Sequence, residues 1–156
     1  MIRGALVALG VLALACGSPL EGELVSEPVR DWSFARGAED VAFETPGGAR
    51  FRRVLVDTHV HGGKLYLLVS TIFSAEDAAL NETLASGRVR ARIAGKLYDL
   101  RATRLERAED IDPFLPSLLR ETMGMESEGA RWDPLPDRYP GTQMRRWFFL
   151  LESDPR

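Results

Sequence analysis

Cysteine is nearly missing from this chain. Cys16 is the only one in 156 residues, so no intramolecular disulfide can form. Histidine occurs twice, as His59 and His61, whereas a zinc centre needs at least three protein ligands. Lysine also occurs twice, at positions 64 and 96, so 18 of the 20 basic residues are arginine. No apolar run is long enough to cross a bilayer as a helix; the longest, residues 5–15, is interrupted by Gly10. Glycine-rich dinucleotide loops, a Walker loop and a Gly-x-Ser-x-Gly elbow are all absent. The chain is too short for a (β/α)8 barrel, which needs about 250 residues. Charge of one sign is missing too. With 20 basic and 23 acidic residues, the net charge of −3 gives no global attraction to nucleic acid. What remains is ordinary globular composition, 45% apolar and 28% charged, in an amount that suits one domain.

The N-terminus reads as a short export signal. Arg3 is a positive n-region, residues 5–15 are an apolar h-region, and small residues precede Cys16. Leu12-Ala13-Leu14-Ala15-Cys16-Gly17 resembles the lipobox of bacterial lipoproteins. That resemblance implies cleavage before Cys16, acylation of its thiol, and a lipid bilayer as partner. Gly17 in place of Asp implies the outer membrane, facing the periplasm. Loss of Arg3 leaves 19 basic and 23 acidic residues in the processed chain. The expected organisation is a signal peptide over 1–15, a lipidated Cys and flexible tether over 16–28, and one domain over 29–156.

In that domain the pattern is mostly period two. Residues 29–35 and 41–45 are candidate strands, the second stopped by Pro46-Gly47-Gly48. Residues 51–61 alternate clearly, with Val54, Val56, Thr58 and Val60 on one face and Arg53, Leu55, Asp57, His59 and His61 on the other. Gly62-Gly63 is a two-residue hairpin turn into a strand over 64–70. It sets His61 opposite Lys64, His59 opposite Tyr66 and Asp57 opposite Leu68. Ser74 is a candidate N-cap for a helix over 75–85 that Gly87 closes. A second hairpin, 88–94 and 97–107, turns at Gly95-Lys96 and pairs Ile93 with Tyr98, Arg92 with Asp99 and Arg90 with Arg101. Val89, Ala91, Ile93, Tyr98, Leu100 and Ala102 form its buried face. Residues 110–123 are a second helix, 124–142 a loop, and 144–152 a closing strand. The order predicts a mainly β protein with short α elements, a small antiparallel barrel whose ends are plugged by two helices.

Two clusters invite a chemical reading. His59-x-His61 on a strand places two imidazoles on one face about 6.6 Å apart, but Asp57, His59 and His61 in line on a flat strand do not surround a metal. No metal site is expected; His59 is expected to stack on Tyr66, and a hydrolase using His59 or His61 is the minor alternative. No catalytic residue is assigned, and nothing in the sequence marks a Ser/His pair. Arg88, Arg90 and Arg92 alternate on one strand with Arg101 opposite. They read as a solvated face with Arg92 paired to Asp99, or alternatively as a phosphate contact for a cofactor or lipid headgroup. Trp32, Phe34, Trp147, Phe148 and Phe149 read as core and dimer contacts.

The order of these elements is similar to that of the split β-barrel flavin-binding proteins, the pyridoxamine-phosphate-oxidase-like and deazaflavin-dependent nitroreductase-like group. The carriers of the resemblance are Asp31-Trp32-Ser33-Phe34, Gly63-Lys64-Leu65-Tyr66, the hairpin Gly87-Arg88-Val89-Arg90-Ala91-Arg92-Ile93-Ala94-Gly95-Lys96-Leu97-Tyr98 with Ala102 beyond, and Trp147-Phe148. It spans residues 29–152. It implies a six- or seven-stranded antiparallel split β-barrel with two short helices, and a homodimer holding FMN or F420 in a groove. Arg53, Thr58, His59, Ser70 and Thr71 would line that groove, with Ser74 donating from a helix start. The family's phosphate-gripping Lys after the fourth strand is replaced here by Ile72-Phe73-Ser74-Ala75-Glu76-Asp77. The implied activity is a flavin-type oxidoreductase acting on a small acceptor. The alternative is a non-enzymatic envelope lipoprotein that uses the same fold to bind a small ligand, a lipid or a partner protein.

Overall fold

Period-two alternation dominates the chain, and the computed structural model is a curled antiparallel half-barrel. It describes residues 18–72, 76–124 and 144–154. The expectations for Cys16, the signal segment and Ser74 lie outside the described residues. Seven strands form one sheet: β1 (Glu23–Leu24), β2 (Val41–Glu44), β3 (Leu55–His61), β4 (Lys64–Ile72), β5 (Arg88–Ile93), β6 (Lys96–Leu105) and β7 (Met144–Ser153). Their order is β2-β5-β6-β7-β4-β3, with β1 added in parallel along β6. Three short helices accompany them: α1 (Ala78–Ser86), α2 (Ala108–Ile111) and α3 (Leu115–Met123). No helix among the described residues is long and apolar enough to cross a membrane.

The Gly62-Gly63 hairpin has the expected register, with His59 opposite Tyr66 and Asp57 opposite Leu68. Both glycines have positive φ, 56° and 73°, as a type I′ turn requires. The β5–β6 hairpin turns one residue earlier than expected, at Ala94-Gly95 rather than Gly95-Lys96. Ile93 pairs with Lys96, Ala91 with Tyr98 and Arg90 with Asp99. Ala94 accepts φ 51° so that Gly95 can take the second position of the turn at φ 78°. The shift is two residues along the partner strand, so the buried and polar faces are unchanged.

Four other elements differ from expectation. Residues 29–35 form no strand; Ser33–Ala35 is a single 3-10 turn. Asp31 starts it by accepting from the Ser33 N–H at 2.9 Å and the Ser33 hydroxyl at 2.6 Å. The expected second helix is broken in two around Asp112-Pro113, because Pro113 has no N–H to continue the ladder. Helix α1 begins later than expected and is capped by Asp77, which accepts from the Leu80 N–H at 2.9 Å. Residues 18–28, expected as a tether, partly pack on the barrel. Leu20 is buried, its N–H reaches Glu44 Oε2 at 2.9 Å, and Glu23–Leu24 pairs with Lys96–Leu97.

The sheet buries residues on both sides. Its inner core holds Leu65, Leu67, Val69, Val89, Ala91, Ile93, Leu100, Phe149 and Leu151, with Trp32 and Phe43 closing it. The opposite face of β4 and β7 presents Tyr66, Leu68 and Phe148 to Ile111, Phe114, Leu115 and Leu118 from α2 and α3. Phe114 stacks on Tyr66 with ring centroids 4.1 Å apart and meets Phe148 edge-on. Of the five aromatics expected as contacts, Trp32, Phe148 and Phe149 are buried, whereas Phe34 is half exposed against Trp32 and Tyr98.

Candidate functional site

Helix α3 carries Ser117 and Glu121 one turn apart, so both lie on one side of it. That side meets the histidines of β3. His59 Nδ1 is 2.8 Å from Glu121 Oε2, and His59 Nε2 is 2.9 Å from Ser117 Oγ. Ser117 Oγ also lies 3.3 Å from His61 Nδ1 and donates to the Phe114 carbonyl at 2.8 Å. The His59 side chain is 2% exposed and that of Glu121 47%. An ionised carboxylate only accepts, so Nδ1 of His59 carries the proton it donates to Glu121. Burial lowers the His59 pKa below the ordinary value, and the attraction of Glu121 offsets this only in part. His59 is therefore neutral near pH 7, and its Nε2 is an acceptor that competes with the Phe114 carbonyl for the single Ser117 proton.

This is a hydroxyl, an imidazole and a carboxylate in relay. The pattern can activate a serine for acyl transfer. It can equally fasten a helix to a sheet. Sequence spacing gave no sign of it, because Ser117 and Glu121 are 58 and 62 positions from His59. The readable part was the i, i+4 placement of Ser117 and Glu121 on one helix. His59 does not stack on Tyr66 as expected; Phe114 occupies that place, 6.2 Å from the His59 ring. The two histidine rings are 6.3 Å apart, close to the expected spacing. No group of three or more metal-binding side chains forms among the described residues.

The residues mapped to a flavin groove are dispersed. His59 and buried Ser70 share the face that α3 covers, while Thr58 and buried Thr71 lie on the opposite face by alternation. Arg53 precedes β3 and is exposed, its backbone N–H held by Asp77 Oδ2 at 3.1 Å. The arginine ladder is paired throughout. Arg90 bonds Asp99 at 2.7 Å, Arg92 bonds Asp40 at 2.9 Å, and Arg88 and Arg101 both meet Asp154. The expected Arg92–Asp99 pair is thus replaced by Arg90–Asp99, as the hairpin register dictates. No family model, curated protein or solved structure matches this chain.

Proposed function

We propose that the chain is an envelope lipoprotein, acylated at Cys16, whose half-barrel serves as a binding module. The observation that carries this reading is helix α3. It covers the β3–β4 face that carries His59 and Ser70, two of the residues mapped to the flavin groove, with Phe114 on Tyr66 and Ser117 and Glu121 on His59. A fused ring system would have to displace buried Phe114 and break both hydrogen bonds of a buried histidine. Titration of the protein with FMN and with F420, followed by tryptophan fluorescence, is expected to give no saturable quenching up to high micromolar. Saturable micromolar binding, lost in Ser70→Ala, overturns this reading in favour of the flavin oxidoreductase. Growth with an alkyne fatty acid is expected to label the wild type and leave Cys16→Ser unlabelled.

The relay geometry favours one second reading, an acyl hydrolase with Ser117 as nucleophile, His59 as base and Glu121 orienting the ring. It ranks below the first for two physical reasons. The Ser117 proton has a competing acceptor in the Phe114 carbonyl, and His59 is closed from solvent. A fluorophosphonate probe decides the matter. Labelling that Ser117→Ala and His59→Gln both abolish would establish the hydrolase.

A further inference from the structure

We propose that Arg50, Arg52 and Arg53 form a headgroup-facing mouth that binds the phosphates of anionic phospholipids in the membrane that holds Cys16. The inference rests on the lipoprotein reading above and names the ligand of that module.

Position is the first argument. The Ser18 carbonyl accepts from Arg50 Nη2, and Leu20 is buried with its N–H on Glu44. The chain is therefore pinned to this end of the barrel at residues 18–20. Only Gly17 separates Cys16 from Ser18, and those two steps of the chain span at most about 7 Å. An acyl chain on Cys16 thus brings Arg50 to the level of the headgroups.

Charge is the second argument. Arg52 and Arg53 are exposed and line an open depression of about 380 Å³ with Arg50, Glu76, Asp77 and Asn81. Among the described residues neither Arg52 nor Arg53 forms an ion pair, in contrast to the fully paired ladder of β5 and β6. The acids beside them are not equivalent. The carboxylate of Asp77 is turned to backbone, accepting from the N–H groups of Arg52, Arg53 and Leu80. Glu44 is buried and 4.0 Å from both Arg50 and Arg90. Glu76 is the exposed acid that opposes an anion here. Arg50 is engaged by Ser18 and Glu44, which leaves the Arg52 and Arg53 guanidinium forks to meet phosphate oxygens, which accept paired N–H bonds. The net charge of the whole chain is negative, so this attraction is local and short in range.

The test uses the processed chain with Cys16→Ser, which carries no acyl group. It is sedimented with vesicles of phosphatidylcholine alone and of phosphatidylcholine with phosphatidylglycerol. Preference for the anionic vesicles is expected, weakening as salt rises, and falling about tenfold or more in Arg52→Gln/Arg53→Gln. Circular dichroism checks that the double variant keeps the wild-type fold. Equal binding to both vesicle types overturns the proposal. So does saturable binding of inorganic phosphate without preference for anionic vesicles, which would make the mouth a free-anion site. The fatty-acid label on Cys16 is read separately. A labelled chain with no vesicle preference defeats this inference and leaves the lipoprotein standing; an unlabelled chain removes the placement argument and defeats both.

Discussion

His59 and Glu121 meet at 2.8 Å across 62 positions of sequence, one on an internal face of the sheet and the other on the last turns of a helix half in solvent. The contact makes helix docking depend on the protonation of one buried ring. Unfolded histidine takes its proton near pH 6.5, whereas folded His59 takes it at lower pH because burial disfavours the charge. Between those two values the unfolded chain binds more protons, so stability falls as pH drops through about 6.5 and levels off below the folded value. Denaturant midpoints measured from about pH 8 to 5 are expected to fall more steeply for wild type than for His59→Gln. Equal slopes would show that His59 is not the group responsible. Glu121→Gln, which removes the attraction that raises the folded pKa, is expected to leave the onset near pH 6.5 and extend the fall to lower pH.

Phe114 holds α3 to β4 more strongly than the polar relay does. It is 1% exposed, stacked on Tyr66 and edge-on to Phe148. Phe114→Ala is expected to cost about 3–5 kcal/mol, and Ser117→Ala about 1–2 kcal/mol through the unpaired His59 Nε2. Urea unfolding of both variants gives the comparison. A smaller loss in Phe114→Ala than in Ser117→Ala would invert this ranking.

Asp77 ties the segment before β3 to the start of α1. Burial raises its pKa, but the backbone N–H groups of Arg52, Arg53, Leu80 and Ala79 outweigh that and hold it below the ordinary carboxylate value. Its contribution is present above about pH 3.8 and is lost as pH falls through the folded value. Asp77→Ala is expected to cost about 2–3 kcal/mol at neutral pH and less in acid. A cost that does not shrink on acidification would locate the effect outside the carboxylate.

Ala94 carries a positive φ in a turn whose first position favours asparagine or glycine. Ala94→Asn is expected to stabilise the fold by about 0.5–1 kcal/mol, read as a raised unfolding midpoint. Loss of stability would mean that the Ala94 side chain is needed where it is.

The hairpins show what was legible. Gly62-Gly63 permits one turn placement, and every pair across β3 and β4 follows from it. In the second hairpin glycine stands beside alanine, and only the flanking ladder decides that Ala94 takes the strained position. That choice moves the Asp99 partner from Arg92 to Arg90, a detail no local pattern contains. The polar face itself was readable, because a shift of two residues preserves it. Trp32 and Phe34 misled for a different reason. Their alternation suggests a strand, but Asp31 two positions before Ser33 closes a side-chain turn instead. The relay at His59 was least accessible, since it joins a strand to a helix that reaches it through the packing of Ile111, Phe114, Leu115 and Leu118.

Strand β7 has a consequence for how the protein is made. Met144–Ser153 follows both β4 and β6 in sequence yet lies between them in the middle of the sheet. Until those residues have left the ribosome, β4 and β6 each lack the strand that hydrogen-bonds to both. Closure of the sheet waits on contacts between distant parts of the sequence. A stop codon before β7 would leave β3–β4 and β2–β5–β6 without the strand that lies between them, rather than a shortened barrel.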